Sequence, residues 1–270
     1  MKYVLRWIYF KGILLIVLVG YTSRAFGQEN NQQSTFALAA PVVYVDSLLF
    51  TKQALLNFTE GEKGSVLHYQ LEDDKPRTGN HKKPIEIKTT STLKVWSTHP
   101  YYQTSDTTTL KFTRANSLLS DAKISIEPEP KAAYRGNKEA SLKDLTKGTT
   151  NFRTGNDWLG FQTTQVNLTI NLKEPTALSL VSLGVLRDYG SWVFLPKQIT
   201  VESNKKIIGQ VNIQIPKAGE KTASTFLHVP IKKGTYKELQ IQINTLPTIP
   251  QWHMGQGTIP WLFIDELLIN

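Results

Sequence analysis

Apolar side chains alternate with polar ones along most of the chain, the pattern of strands with one dry and one wet face. Val166, Leu168 and Ile170 alternate with Asn167 and Thr169 in the clearest example. The same spacing recurs in shorter runs at 67–71, 93–95, 110–112, 211–215 and 239–243. Turn-forming residues separate these runs, and short alternating strands at such intervals favour β-sandwiches. The sequence therefore predicts an all-β protein.

A polar, proline-bearing stretch divides this pattern into two blocks. Strand patterning ends near Phe112, gives way to a segment that includes Glu127-Pro128-Glu129-Pro130, and then resumes. The second block has the length of an eight-stranded jelly-roll sandwich. We expect a polar, disordered lead-in at 28–37, a first sandwich at 38–114, a linker at 115–133 and a second sandwich at 134–270.

The first 27 residues have the three parts of an export signal. A basic start at 2–11 is followed by an apolar run at 12–20 and by Ala25-Phe26-Gly27, the small-x-small pattern of a cleavage site. The apolar run is too short to span a bilayer, which takes about 20 residues as a helix. We expect cleavage before Gln28 and export to the periplasm, the cell surface or the medium, with an uncleaved membrane anchor as the alternative. No later segment is predicted to span a membrane.

Charge and cysteine content exclude several classes of protein. The formal net charge is +9 at pH 7, but four of the 31 basic residues lie in the export signal, which leaves 27 − 22 = +5. The remaining lysines are scattered in pairs such as Lys82-Lys83 and Lys232-Lys233, which indicates a solvated surface and not a nucleic-acid interface. The chain has no cysteine, so neither a disulfide framework nor a cysteine-linked lipid is possible.

The first block resembles the fibronectin-III-like domain that accompanies bacterial chitobiases and β-N-acetylhexosaminidases. The resemblance rests on the turn at 66–76, which contains His68-Tyr69 and Pro76, and on strands at 83–87 and 92–96. The turn departs from the family at 73–75, where Asp-Asp-Lys replaces its glycine. The resemblance implies an immunoglobulin-like sandwich and no catalytic role.

The second block resembles the coagulation factor 5/8 type C, or discoidin-like, domain, a galactose-binding-like fold that closes many hexosaminidases. The residues that carry this resemblance are 134–138, 141–144, 148–153, 157–161, 181–184, 190–197 and 261–266. In those enzymes a catalytic barrel precedes the two modules, whereas here an export signal does. The resemblance therefore implies a non-catalytic accessory protein, with an orphan accessory part of a hexosaminidase as one alternative.

Discoidin-like folds commonly hold one structural Ca²⁺ ion, and the resemblance implies such a site here. The matching positions are Asp144, Thr149, Asn151 and Glu266, and oxygen ligands of this kind are what calcium requires. Leu145 departs from the family, which has glycine after the aspartate. The alternative is that Asp144 caps a turn while Glu266 is a surface acid on an edge strand.

One predicted loop end combines aromatic and planar polar side chains, which suit the C–H patches and hydroxyl groups of sugars. Trp252 and His253 lie in a loop with prolines and glycines and are the main candidates for ligand binding. Further candidates by fold analogy are Arg187, Asp188, Tyr189 and Trp192. Trp158 and Trp261 lie in strand-like contexts, so we expect them in the core.

An enzyme is the less favoured class. The five histidines lack the spacing of a zinc site, and neither a G-x-S-x-G motif nor a P-loop occurs. The carboxylate pairs Asp73-Asp74 and Asp265-Glu266 are adjacent in sequence, so in a strand their members point to opposite faces. We expect an exported, non-catalytic protein that binds glycans of the N-acetylhexosamine or galactose type. A glycoside hydrolase or a cell-surface complex is a further expected partner, and a purely structural, adhesive or enzyme-docking subunit is the alternative.

Overall fold

The all-β prediction is confirmed. The computed structural model describes residues 36–59, 61–79, 82–116, 118–154 and 156–270, and within them the regular elements are fifteen strands and three short 3₁₀ turns. No helix in these ranges is long and apolar enough to cross a bilayer. The predicted export signal at 1–27 lies outside the described residues, as does the predicted lead-in as far as residue 35.

The first block forms a sandwich of two sheets around one core. Its strands are β1 (Val43–Val45), β2 (Leu49–Phe50), β3 (Ala54–Phe58), β4 (Val66–Leu71), β5 (Arg77–Thr78), β6 (Ile85–Ile87), β7 (Ser91–Thr98) and β8 (Thr108–Arg114). One sheet has the order β1-β3-β6 and the other the order β2-β8-β7-β4-β5. Leu56 of the first sheet and Leu93, Val95 and Phe112 of the second are fully buried in the shared core. The last lead-in residue, Ala37, forms a β-bridge with Gln103, so the lead-in is paired at its end.

The second block is a larger sandwich built around two very long strands. Its strands are β9 (Lys123–Glu127), β10 (Leu159–Phe161), β11 (Gln165–Arg187), β12 (Gln198–Ser203), β13 (Lys206–Asn212), β14 (Ala223–Asn244) and β15 (Leu262–Ile269). The first part of β11 pairs with β9 and with the end of β14, which also pairs with β12. The second part of β11 pairs with β15 and with the start of β14. β11 and β14 therefore run through both halves of the sandwich.

Irregularities in β11 divide it between the two halves. The register with β14 shifts between Asn171 and Thr176 and again between Leu178 and Leu180, and such irregularities bend a strand. Leu168 before the bend and Leu183 after it belong to one buried core. The bend thus brings the two halves of one hydrogen-bonded sheet face to face, and their hydrophobic sides pack together in the core.

The predicted linker is wrong over part of its length. Residues 123–127, which we expected in the linker, form β9 and pair with β11 in register. Ile124 and Ile126 alternate with polar residues and pack against the core of the second sandwich, and Leu119 and Ala122 are buried in it. Their burial explains why this polar segment forms a strand, and it places the start of the second sandwich before residue 134.

A small apolar contact joins the two sandwiches. Leu49 of the first block and Ala115, which directly follows that block, are buried together with Leu268 of β15, and Leu145 and Phe226 pack against them. The Asn116 side chain donates a hydrogen bond of 2.6 Å to the carbonyl oxygen of Ile269.

Candidate functional site

Two loops at one end of the second sandwich bring most of the predicted sugar-binding residues together. The first loop follows β11, and Asp188 and Val193 close it with two reciprocal backbone hydrogen bonds of 3.0 Å. Trp192 lies at its tip with φ of +64°, a left-handed backbone conformation that residues other than glycine seldom adopt. The second loop, which carries Trp252 and His253, is closed by a 2.8 Å bond from the Ile249 amide to the Thr258 carbonyl.

His253 holds the two loops together. Its Nδ1 accepts a hydrogen bond of 3.0 Å from the Gly255 amide, so Nε2 carries the proton of the neutral ring. Nε2 lies 2.8 Å from the Tyr189 carbonyl oxygen and donates to it. Both ring nitrogens are therefore used within the protein. The predicted ligand contact of His253 is limited to the edge or face of its ring.

Trp252 lies on a buried aromatic base. Tyr189 and Phe194 are buried and stack with their ring centroids 4.6 Å apart. The Trp252 ring lies 5.5 Å from Tyr189 and 6.2 Å from Phe194, and 41 % of the residue remains exposed. The base fixes the indole while it leaves part of its surface open to a ligand.

Trp192 forms a second exposed indole on the other side of His253. It is 37 % exposed, and its ring meets His253 edge to face with 6.2 Å between centroids. Gly255 lies against this ring so closely that a Cβ added there would come within 3.0 Å of it. The two tryptophans thus flank His253.

Arg187 and Tyr189 are held by an acid that the sequence did not point to. The Tyr189 hydroxyl donates a hydrogen bond of 2.7 Å to Glu220, and the Arg187 guanidinium lies 3.4 Å from the same carboxylate oxygen. Arg187 Nε also donates to the Lys221 carbonyl at 3.0 Å. Desolvation, followed by the hydrogen bond to Glu220, raises the pKa of Tyr189 well above its usual value, so its hydroxyl stays protonated. Both side chains brace the loops, and Glu220 is the residue that orients them.

Two further polar groups lie at the turn that carries Trp192. The Arg153 guanidinium donates a hydrogen bond of 2.9 Å to the Ser191 hydroxyl and stacks over Phe152 at 4.3 Å. Asp188 accepts a 3.4 Å hydrogen bond from Thr222. Arg153 was not among the predicted site residues, although its position in the motif 148–153 could have suggested it. These groups supply donors and an acceptor beside the indoles.

The predicted calcium ligands divide into two groups. Glu266 is fully buried, so the alternative of a surface acid is wrong for this residue, whereas Asp144 does cap a turn by accepting a 2.8 Å bond from the Thr146 amide. Burial raises the pKa of Glu266 to about 8, and the negative charge of Asp144 contributes in the same direction. One oxygen of Glu266, Oε2, is buried without a hydrogen-bond partner. An oxygen-seeking cation between these two carboxylates fits this arrangement.

The other two predicted calcium ligands, Thr149 and Asn151, are exposed. The Thr149 carbonyl already accepts a 2.9 Å bond from the Trp158 indole, which is buried as expected. Leu145 has φ of +61°, a left-handed conformation that favours glycine, the residue that the resemblance led us to expect here. No group of three or more His, Cys, Asp or Glu side chains suited to a metal occurs among the described residues. Backbone and hydroxyl oxygens would therefore have to complete a calcium site.

A buried ion pair lies next to these carboxylates. The Lys147 ammonium lies 2.6 Å from Asp265, and their side chains are 9 % and 0 % exposed. The Gly148 amide donates to the same carboxylate oxygen at 2.6 Å. Lys147 also lies over the rings of Trp158 and Phe226, at 4.9 and 5.0 Å from their centroids. Desolvation lowers the pKa of Lys147 and raises that of Asp265, while the attraction between the two charges opposes both shifts.

No protein-family model matches the chain, and no curated protein matches it in sequence. A SusE-like protein is similar in structure over 86 % of this chain and 98 % of its own, with 13 % identity and a TM-score of 0.38. The C-terminal domain of a chitobiase from Bacteroides fragilis matches 57 % of this chain and 95 % of its own, with 17 % identity and a TM-score of 0.38. The family 32 carbohydrate-binding module of NanJ from C. perfringens, solved with galactose, matches 57 % of this chain and 97 % of its own, with 13 % identity and a TM-score of 0.37.

Proposed function

We propose that this protein is an exported, non-catalytic accessory protein that binds glycans through the loop face formed by Trp192 and Trp252. The observation that carries the proposal is the pair of partly exposed indoles, held in place by His253 and by a buried aromatic base. A rigid ring loses little conformational entropy when it binds, so most of its contact energy goes into affinity.

The chemistry of this face suits a sugar of the N-acetylhexosamine or galactose type. The C–H side of a pyranose ring packs on an indole, while Arg153 and Asp188 supply a donor and an acceptor for hydroxyl groups. Hydrogen bonds to sugars replace bonds to water, so ring stacking supplies much of the net gain. For one shallow site we expect a dissociation constant on the order of 0.1 to 1 mM.

A protein partner is the second candidate, and one observation favours it. Met254 and Ile259 next to Trp252 are 89 % and 40 % exposed, so the loop face is partly apolar. A docking subunit of a glycoside hydrolase or of a cell-surface complex would bury such a patch. An orphan accessory part of a hexosaminidase is a separate alternative, which the sequence resemblance suggests.

Titration of N-acetylglucosamine and galactose, followed by nitrogen–proton chemical-shift mapping, tests the proposal. Either sugar should shift resonances of the loop face, and Trp252→Ala should weaken binding about tenfold through lost stacking. Arg153→Ala should weaken it less, by about threefold, because its hydrogen bonds are exchanged with water. The matched control is Tyr101→Ala, which removes a ring that is 75 % exposed in the first sandwich and should leave affinity unchanged. If neither sugar moves the loop-face resonances, the docking function becomes the better one.

Export and the calcium ion belong to the same proposal. Cleavage after Gly27 should give a native chain whose intact mass corresponds to a start at Gln28, and a chain that retains Met1 in a membrane fraction contradicts it. The calcium ion would be structural, held by Asp144 and Glu266 with oxygens from the 144–151 loop. It would screen the repulsion between the two carboxylates.

A further inference from the structure

The wet face of the second sandwich carries an ordered array of uncharged amide and hydroxyl side chains. It lies on the half-sheet β13-β12-β14-β11-β9. Two rows cross the strands in register: Gln165, Asn244, Gln198 and Asn212 form the first, and Asn167, Gln242, Thr200 and Gln210 form the second. Thr169 and Gln240 start a third row, which continues to the charged residue Glu202 on β12. We call this surface the amide face.

Alternation along the strands directs these side chains away from the core. Leu168 between Asn167 and Thr169, and Ile241 between Gln240 and Gln242, are buried in the core of the second sandwich. Because successive residues of a strand point to opposite sides, the amides lie on the outer side. Thr200, in the middle of the second row, is buried with 4 % exposed, so the amides around it provide the contact surface of that row. In the first two rows every outward position on β11, β14, β12 and β13 is uncharged.

Hydrogen bonds within the array orient its amides in advance. Asn244 donates to Gln198 at 3.2 Å, and Gln198 donates in turn to Asn212 at 2.8 Å. Gln165 donates to Asn167 at 2.8 Å. Each of these amides keeps a second N–H or a free lone pair for a ligand. Side chains that are already ordered cost less entropy on binding.

The array opens at one edge into a trough with acidic groups. A cavity of about 410 Å³ is lined by Ser125, Glu127 and Glu129 together with Asn167 and Thr169 of the second and third rows. Glu127 is opposite Asn167 in the register of β9 and β11, so it extends the second row. A carboxylate there can accept hydrogen bonds from two neighbouring hydroxyl groups at once.

The composition of this face selects the kind of ligand. A nucleic acid would require a basic surface, and a protein partner would require aromatic or arginine anchors. An ordinary solvated strand face favours threonine, whereas asparagine is disfavoured in strands. A neutral ligand with many hydroxyl groups instead requires closely spaced donors and acceptors without net charge. The amides recur about every 4.8 Å from strand to strand, so an extended ligand lying across the strands meets one at each step.

We propose that the amide face is a second binding site, which takes an extended, uncharged glycan chain laid across the strands from the trough towards β13. It shares no residue with the loop face formed by Trp192 and Trp252. The two sites differ in the ligand they fit, because the loop face suits one or two sugar rings and the amide face suits a run of several.

The test titrates four neutral hexasaccharides, from β-1,4-glucan, β-1,4-xylan, β-1,4-mannan and α-1,4-glucan, into the protein and follows the side-chain NH₂ resonances. At least one of them should shift the resonances of Asn167, Gln242 and Asn244, whereas its monosaccharide should not. Asn167→Ala/Gln242→Ala should weaken binding of that hexasaccharide about tenfold or more, since two cross-strand neighbours are lost. Gln242→Glu keeps the shape but replaces a donor with a charge, so it should weaken binding without disturbing the fold.

The matched control is Trp192→Ala/Trp252→Ala, which should leave hexasaccharide binding at the amide face unchanged. The proposal is overturned if none of the four hexasaccharides shifts these resonances, or if both amide variants bind as tightly as the wild type. Loss of hexasaccharide binding in the tryptophan variant alone would also overturn it, and would assign all binding to the loop face. Loss in the amide variants alone is the expected result, and the titration of single sugars at the loop face then tests the proposed function separately.

Discussion

Loss of one partner from the ion pair between Lys147 and Asp265 should strongly destabilise the second sandwich. The sharpest test removes one charge and keeps the packing. In Lys147→Met the side chain stays long and apolar, and its sulfur still contacts the rings of Trp158 and Phe226. Asp265 is then left fully buried with only the Gly148 amide as a donor, because its other oxygen, Oδ1, has no partner.

The expected loss in the free energy of unfolding follows from the isolation of the Asp265 carboxylate. Breaking a buried pair by removal of one partner costs about 3–5 kcal/mol, and the lost cation–π contacts add about 1 kcal/mol, partly offset by the methionine. Removal of both charges in Lys147→Met/Asp265→Asn leaves a neutral amide that still accepts from Gly148. Asp265→Asn alone leaves Lys147 buried without a charged partner and should also cost about 3–5 kcal/mol. The double variant should lie within about 2 kcal/mol of the wild type, so the coupling energy should be at least about 4 kcal/mol.

Urea unfolding of the two single variants, the double variant and the wild type measures this cycle, with the m-value as the check on the unfolded state. The matched control is Lys173→Met, because Lys173 pairs with Asp121 at 3.2 Å but both side chains are more than half exposed. That change should cost less than about 1 kcal/mol. A cost for Lys147→Met as small as that of the control, or a double variant that loses the sum of both single losses, would refute the reasoning.

Three further predictions concern the neighbouring sites. In chelating buffer the free energy of unfolding should fall by up to about 5 kcal/mol between pH 4.5 and 8, because folding raises the pKa of Glu266 from 4.5 to about 8. Glu266→Gln should remove most of this slope but not all of it, since desolvation also raises the pKa of Asp265, and equal slopes contradict the prediction. Near neutral pH, a chelator should lower the melting temperature of the wild type and added calcium should restore it, whereas neither should change the melting temperature of Asp144→Ala. Identical wild-type melting curves with chelator and with calcium would exclude a bound metal. Gly255→Ala should shift the Trp192 ring by a few tenths of an ångström and weaken sugar binding, but less than Trp192→Ala does, and unchanged affinity would contradict the close packing at Gly255.

The alternation of apolar and polar residues predicted most of the fold, because this pattern is visible within each strand's own sequence. Leu168 and Ile241 alternate with polar neighbours in the sequence and are buried in the structure. The same pattern was present in β9, where Ile124 and Ile126 alternate with Lys123, Ser125 and Glu127, but the prolines that follow suggested a linker. Pairing with β11 decides the outcome there, and a partner about 40 residues away in sequence cannot be seen in a short local pattern.

The candidate site could be predicted only in part, for a similar reason. The loop residues Trp192 and Trp252 were recognisable because an aromatic residue in a loop is a local feature of the sequence. The role of Glu220 depends on its distance to Arg187 and Tyr189, which lie more than 30 residues earlier. The amide face arises in the same way, since Asn167, Gln242 and Thr200 become neighbours only through the register of three strands.

The passage of β11 and β14 through both halves of the second sandwich has a consequence for how this module opens. Because the strands β11 and β14 supply hydrogen bonds to both halves, neither half can detach while the other keeps its β-sheet hydrogen bonds intact. Amide protons of β12 and β15, which lie in different halves, should therefore exchange with solvent at similar free energies of opening. The same continuity limits where the chain can be cut or extended, since a break near 171–180 would interrupt β11 at its bend, whereas the 213–222 connection lies between strands.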